Sequence, residues 1–151
     1  MVSPADFPPP SIGFLVWHLS MRWRAEMDRE LARYGLTAAQ YSVLASLYGL
    51  TSRGEQPSQR ELAEFAGLET MYLSKLIRVL ERAGLVERAR NTADARALQL
   101  TVTEEGVRTV RLARTKVLEL EEQRLAALGG RTAAAGVQLR EALTTLLRDT
   151  D

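Results

Sequence analysis

Apolar residues recur at helical spacing along most of the chain, and glycines mark the points where the pattern stops. The spacing predicts a first helix over residues 11–34, ended by Gly35 in a left-handed conformation. A capping-box sequence that starts at Thr37 predicts a second helix. Gly49 and the polar stretch 51–57 predict the end of that helix.

The next stretch predicts two short helices joined by a glycine turn. Ser58 opens another capping box, and its helix is expected to stop at Gly67. A further helix is predicted from Thr70 to about Ala83, ended by Gly84, with apolar residues repeating on one face. The predicted inward residues are Leu73, Leu76, Ile77 and Leu80. Two short helices joined in this way are the construction of a helix-turn-helix.

A short hairpin and a long helix follow. Residues 86–88 and 98–100 alternate apolar and polar side chains, which is typical of strands, and the polar residues 89–95 predict the loop between them. Thr103 and the two glutamates after it predict a long helix that runs to about Leu128.

A glycine pair at 129 and 130 separates that helix from a last one, predicted to start at Thr132. The predicted fold class is mainly α with a small antiparallel β-hairpin. In it, a winged helix-turn-helix DNA-binding lobe lies between N-terminal and C-terminal helices.

The helix that starts at Thr70 predicts a DNA-binding face. If its leucines face inward, helical geometry turns hydroxyl, methionine, lysine and arginine side chains outward. These residue types contact phosphates and base edges in DNA. The predicted DNA-binding residues of the two helices are Ser58, Thr70, Met71, Tyr72, Ser74, Lys75 and Arg78. An ordinary solvated helix face is the alternative explanation.

The hairpin loop predicts a second DNA contact. Arg96 at its tip can enter a minor groove, where the close phosphate walls concentrate negative potential. Asp94 can orient that guanidinium before DNA binds, and Arg90 is expected to contact the DNA backbone. The alternative for Asp94 and Arg96 is an exposed ion pair of little consequence.

Charge is concentrated where these motifs lie. Six basic and three acidic residues fall between residues 70 and 96, a net charge of +3, although the whole chain carries only +1. A phosphate-facing surface requires this asymmetry. The 46% hydrophobic content supports one domain with a real core. No apolar run is long enough to cross a membrane, so a cytoplasmic protein is expected.

Catalysis and bound metals are not predicted. The chain has no cysteine, which excludes disulfides and thiolate metal sites. Its single histidine, His18, has no cysteine partner, and the sequence has neither a nucleophile elbow nor a phosphate-binding glycine loop. We therefore expect neither an enzyme nor a cofactor.

The order of these motifs resembles the MarR (multiple antibiotic resistance) family of winged-helix regulators. The motifs that carry the resemblance are Leu36 and Thr37 with residues 40–44, residues 59–63, residues 80–88, residues 94–96 and residues 100–106. The four prolines of residues 1–10 predict a disordered lead, and the resemblance covers a single domain at 11–151. Within that domain, dimerisation helices at 11–34 and 103–151 flank the winged helix-turn-helix lobe at 37–101.

The resemblance implies a homodimeric DNA-binding transcriptional regulator, usually a repressor at a pseudo-palindromic operator. The helix from Thr70 would occupy the major groove and Arg96 the minor groove. The loop at 91–96 has fewer Asp and Arg residues than the family often carries, so Arg90 and Arg96 would matter more individually. Alternatives are a winged-helix module that binds protein, an activator, or a regulator without a ligand.

The dimer also has support from the residues themselves. The terminal helices carry more apolar positions than a small helical core needs, and leftover apolar faces usually mark an interface. Packing within one chain is the alternative.

The resemblance further implies a small aromatic or phenolic effector that releases the protein from DNA. The candidate ligand-binding residues on the first two helices are Trp17, His18, Met21, Arg22 and Tyr41. Rings stack on Trp and Tyr, and His or Arg pairs with a carboxylate. The alternative is that these side chains serve the core, an interface or the solvated surface.

Overall fold

Polar side chains start the helices and left-handed glycines end them, as the sequence predicts. Thr37 and Ser58 each accept a hydrogen bond from the backbone N–H three residues later, and the side chain at that third position bonds back to the cap N–H. Gly67 ends its helix with φ of 65°, and Gly35, with φ of 70°, ends a 3₁₀ turn (Ala32–Tyr34) that follows the first helix, whose α-helical part stops at Leu31. Both predicted capping boxes and both glycine stops are therefore confirmed.

The computed structural model describes residues 9–90 and 98–148, apart from the side chains of residues 90 and 98. This part of the chain is mainly helical, with a two-stranded antiparallel hairpin. In chain order the elements are α1 (Ile12–Leu31), α2 (Ala38–Ser52), α3 (Gln59–Ala66), α4 (Thr70–Arg82), β1 (Val86–Arg90), β2 (Leu98–Val102), α5 (Glu104–Arg124) and α6 (Ala134–Arg148). The predicted fold class is confirmed. Most of the lead at 1–10 lies outside the described residues.

The core lies where α2, α3, α4 and the hairpin meet the first half of α5. Its largest fully buried side chains are Leu31, Val43, Leu44, Leu47, Leu62, Leu73, Ile77, Leu80, Leu100 and Val110. Burial of one such aliphatic side chain stabilises the fold by about 1.5–3 kcal/mol before chain entropy is counted. All four leucine and isoleucine residues predicted to face inward on α4 are buried.

The second helix is longer than predicted. Gly49 does not end α2, which continues to Ser52. A glycine inside a helix costs only about 0.5–1 kcal/mol relative to alanine, and the extra turn buries Leu50. The stop comes instead at the left-handed Gly54, whose φ is 81°.

The hairpin is also longer than predicted. The strands pair from Val86 with Val102 to Arg90 with Leu98. Residues 89 and 90, expected in the loop, are therefore strand, because the ladder continues to satisfy their backbone groups. The rest of the predicted loop, residues 91–95, lies outside the described residues.

The C-terminal helix ends also differ from the prediction. α5 ends at Arg124, four residues before Leu128, and a 3₁₀ turn covers Ala126–Leu128. The last helix starts at Ala134 and not at Thr132. Left-handed glycines at 129 and 130 complete the turn between them, with φ of 85° and 98°.

A tight joint connects the start of α5 to the turn that follows α4. The hydroxyl of Thr103 donates to the carbonyl oxygen of Gly84 at 2.6 Å, and the Thr103 N–H donates to the carbonyl oxygen of Leu85 at 3.1 Å. A Cβ added to Gly106 would lie 2.1 Å from that Leu85 oxygen. The backbones therefore approach so closely that only glycine fits.

The two ends of the domain lie outside this core. Residues 11–22 of α1 and residues 140–148 of α6 are all exposed, and we call these two segments the terminal arms. Many of the exposed side chains are large and apolar: Ile12, Phe14, Leu15, Val16, Trp17, Leu19, Met21, Leu143, Leu146 and Leu147. Their exposure contrasts with the closed core of the lobe.

Candidate nucleic-acid interface

α4 presents one buried face and one solvent-facing face. Met71 is 69% exposed and Tyr72 38%, and Thr70, Lys75 and Arg78 are exposed as well. Ser74 is half-buried. The structure therefore brings the six predicted residues of α4 onto one side of a single helix. That side combines hydroxyl, apolar and cationic groups, which suits contact with bases and phosphates.

The start of α4 is occupied by an acidic side chain that the sequence reasoning missed. The Glu69 carboxylate accepts hydrogen bonds from the backbone N–H groups of Met71 at 3.2 Å and Tyr72 at 3.3 Å. These amides have no partner inside the helix, so the cap stabilises the helix end. A glutamate directly before Thr70 was a usable signal, although serine, threonine, aspartate and asparagine are the usual caps.

Ser58 begins α3 and is held in its own capping box. Its hydroxyl accepts from the Glu61 N–H at 3.2 Å, and the Glu61 carboxylate accepts from the Ser58 N–H at 2.7 Å. The hydrogen bond from the Ser58 backbone lowers the pKa of Glu61, so this carboxylate is ionised at neutral pH. Ser58 is half-buried and retains lone-pair capacity on its hydroxyl.

An ion pair fixes the hairpin against α4. Arg88 of β1 lies 2.9 Å (Nε to Oε1) from Glu81 near the end of α4, and each side chain is only 27% exposed. Partial burial weakens solvent screening of the pair. The base of the hairpin is thereby held at a defined position relative to the helix.

The predicted loop contacts are only partly placed. The backbone of Arg90 ends β1 opposite Leu98, and its side chain is outside the description. Asp94 and Arg96 also lie outside the described residues. Their predicted DNA contacts stay predictions.

A mainly apolar cavity of about 670 Å³ opens between α1, α2 and α3. Trp23, Met27, Tyr41 and Phe65 supply its large side chains, and Arg24 is the charged residue among those that line it. Serines 20, 42 and 46 add hydroxyl groups. Burial raises the pKa of Tyr41, while the charge of Arg114 opposes that shift. The Tyr41 phenol is therefore neutral at physiological pH.

The structure does not bring the five predicted ligand-binding residues together. Tyr41 lines the cavity, whereas Trp17, His18, Met21 and Arg22 are exposed in the α1 arm. The rings of Phe14 and His18 instead contact each other, with centroids 4.3 Å apart. The α1 residues that line the cavity, Ser20, Trp23, Arg24 and Met27, alternate along the chain with the predicted ones and lie on a different face of the helix, since successive residues are about 100° apart.

The described residues contain no group of His, Cys, Asp or Glu side chains arranged to hold a metal ion. Within the same ranges, no helix is both long and apolar enough to span a membrane. A capped helix pair, an exposed basic helix face and an adjoining hairpin together define a winged helix-turn-helix of the kind that binds DNA.

Comparison with known proteins agrees with this class. The MarR family profile matches residues 36–98. The uncharacterized HTH-type transcriptional regulator YdcH of Bacillus subtilis (strain 168) is 33% identical over 120 residues, which cover 80% of this chain and 82% of YdcH. The chain belongs to the MarR family. Its family and fold are those of transcriptional regulators and not of enzymes.

Solved structures share the fold over nearly the whole chain. The S. aureus MepR–DNA complex matches with a TM-score of 0.78 and 21% identity, covering 93% of this chain and 97% of that chain. CouR from Rhodococcus jostii RHA1 bound to p-coumaroyl-CoA matches with a TM-score of 0.75 and 28% identity, covering 90% and 91%. The repressor CouR bound to a 23-mer DNA duplex matches with a TM-score of 0.72 and 28% identity, covering 92% and 91%.

Proposed function

We propose that this protein is a homodimeric repressor that recognises a pseudo-palindromic operator through α4. The carrying observation is the solvent-facing side of α4, on which Tyr72, Lys75 and Arg78 are exposed, in a helix that packs against the hairpin. A related MarR-fold protein, CouR, is a repressor solved on a DNA duplex. In the proposed complex α4 lies in the major groove, and the loop with Asp94 and Arg96 lies against the minor groove.

The terminal arms support the dimer. Exposed side chains such as Trp17 in α1 and Leu143 in α6 form large apolar surfaces that a monomer in water would bury only by association. Pairing through the arms gives the two copies of α4 a two-fold relationship. Half-sites are then expected about one helical turn of DNA apart, roughly 34–36 Å.

Binding to the DNA upstream of the protein's own gene, measured at several salt concentrations, tests the proposal. A specific repressor should bind this DNA in the nanomolar range, with affinity falling steeply as salt rises, because phosphate contacts release counterions. Equal affinity for random DNA, or a flat salt dependence, would contradict the proposal. A winged-helix module that binds protein would show a flat salt dependence.

Alanine variants separate the proposed contacts. We expect Arg96→Ala and Arg90→Ala to weaken binding to all sequences and to reduce the salt slope by about one each. Lys75→Ala or Arg78→Ala should instead relax base preference if the side chain reaches a base edge. Arg33→Ala is the matched control, since Arg33 is exposed and pairs with Glu30 at the far end of α1.

We also propose that the cavity between α1, α2 and α3 takes a small aromatic effector that weakens DNA binding. Its apolar walls suit a ring, and Arg24 supplies a cation for an acidic substituent. Phe65 lines the cavity from α3, which is part of the helix-turn-helix. A bound effector would therefore contact the DNA-binding lobe directly. CouR, solved with p-coumaroyl-CoA, shows that a similar fold accepts an aromatic acyl ligand.

A thermal-shift screen of aromatic acids and phenols, followed by DNA displacement, tests this second proposal. Ala45→Trp should fill the cavity and abolish both responses while the protein still binds DNA. Ala32→Trp is the matched control, because Ala32 is exposed and lies outside the cavity. The proposal fails if no compound both raises the melting temperature and displaces DNA, or if Ala45→Trp responds as the wild type does.

A further inference from the structure

Glu69 places a negative charge at the end of α4 that faces the proposed DNA. A free helix N-terminus offers its amides to phosphate, but here the Glu69 carboxylate already accepts from Met71 and Tyr72. No acidic side chain lies within the first turn of α4 itself. Glu69 is exposed, so its outer lone pairs remain available to a ligand.

A carboxylate in this position interacts very differently with the two parts of DNA. It repels phosphates, which carry the sequence-independent part of the affinity. In the major groove, its best partner is the N4 amino group of cytosine, since guanine and thymine present acceptors and the N6 amino group of adenine lies beside the N7 acceptor, which repels a carboxylate. The charges that follow on the same face, Lys75 and Arg78, are cationic. Glu69 therefore differs in sign from the remainder of the face.

We propose that Glu69 is a specificity-determining residue that selects cytosine at one position of each half-site and disfavours other DNA. The inference rests on the proposed DNA recognition by α4. The backbone contacts from Met71 and Tyr72 hold the carboxylate in place before DNA arrives, so little side-chain freedom is lost on binding. Repulsion of phosphates then lowers affinity for random sequences more than for a site that supplies the amino group.

The test compares Glu69→Ser with the wild type on the operator, on operators with each base pair replaced in turn, and on random DNA. Serine is a good helix cap, but its side chain is uncharged and too short to reach a base. Glu69→Ser should bind random DNA about fivefold more tightly, and its operator-to-random ratio should fall about tenfold or more. Preference for cytosine should disappear at one position per half-site and persist elsewhere.

Glu64→Gln is the matched control, because it removes one exposed negative charge from the neighbouring α3, where the Glu64 side chain pairs with Arg60 and caps no helix. It should shift all affinities alike and leave the base preferences unchanged. If Glu69→Ser keeps every base preference and its operator-to-random ratio, Glu69 is only a helix cap and the inference is wrong. If the wild type itself does not prefer the operator, the proposed function fails instead.

Discussion

The helix-turn-helix lobe and the terminal arms have similar helical sequences but opposite environments. In the lobe, apolar residues such as Leu44 and Ile77 are fully buried by neighbouring elements of the same chain. In the arms, Leu15 and Trp17 are half or more exposed. One chain thus completes the core of the lobe but does not cover the arms. This difference separates folding, which the lobe achieves within one chain, from the dimerisation that we propose for the arms.

The largest expected effect is on the lobe core. Leu73→Ala leaves a cavity beneath α4, and we expect it to lower the free energy of unfolding by about 2–5 kcal/mol. Because the site is buried within one chain, the loss should be the same at every protein concentration. Denaturant unfolding at two concentrations measures it. A loss that depends on concentration would show that lobe and arms unfold as one unit.

The arms should show the opposite behaviour. Leu15→Asp puts a charge into the proposed interface, and we expect dissociation to monomers with operator affinity falling on the order of 100-fold or more. Sedimentation and DNA titration over a range of concentrations check this. The exposed Ala32→Asp, beyond the other end of α1, adds the same charge and should leave the dimer intact. If the Leu15→Asp variant is still a dimer, the terminal arms do not form the dimer interface.

The joint between lobe and α5 gives a smaller effect, tested by a pair of glycines. Gly106→Ala forces a Cβ against the Leu85 carbonyl oxygen, and we expect a loss of about 1–3 kcal/mol. Gly49→Ala in α2 meets no atom within 4 Å and should stabilise the helix by about 0.5–1 kcal/mol. Thermal unfolding compares the two. Equal effects of the two changes would mean that the joint is not tightly packed.

The smallest effect concerns two tyrosines of α2 that face α5. The Arg111 Nε donates to the Tyr48 hydroxyl at 3.0 Å, and this hydrogen bond lowers the pKa of Tyr48. Burial raises the pKa of Tyr41. Tyr48 should therefore ionise first in an ultraviolet titration, as a comparison of Tyr48→Phe with Tyr41→Phe would show. Arg111→Gln should raise the pKa of Tyr48 and leave that of Tyr41 nearly unchanged.

Tyr48 and Tyr41 contribute to the stability of the folded state in opposite pH ranges. The folded state favours ionised Tyr48, so its contribution is present above the unfolded pKa of 10.0 and is lost as the pH falls through the lower folded pKa. Tyr41 is favoured neutral, so its contribution is present below 10.0 and is lost as the pH rises through the higher folded pKa. If both residues titrated together, the contact with Arg111 would have no electrostatic role.

Local chemistry made much of the fold predictable. Capping boxes at Thr37 and Ser58, and the apolar repeat of α4, each depend on residues a few positions apart. The end of α2 was not predictable, because burial of Leu50 depends on elements distant in sequence and overrides the glycine. Apart from Tyr41, the residues around the cavity were not predicted, for the same reason: Phe65 meets α1 and α2 only after folding. Glu69 was not predicted because glutamate is an uncommon residue at a helix N-cap.

The joint at Thr103 and Gly106 has a consequence for how such regulators diversify. It fixes the position of α4 relative to the α5 that follows. In the proposed dimer, the terminal arms therefore set the distance between the two copies of α4. Substitution of the exposed side chains of α4 would then change which bases are recognised without altering the spacing of the half-sites. The spacing of the half-sites and the base sequence of the operator thereby depend on different parts of the chain.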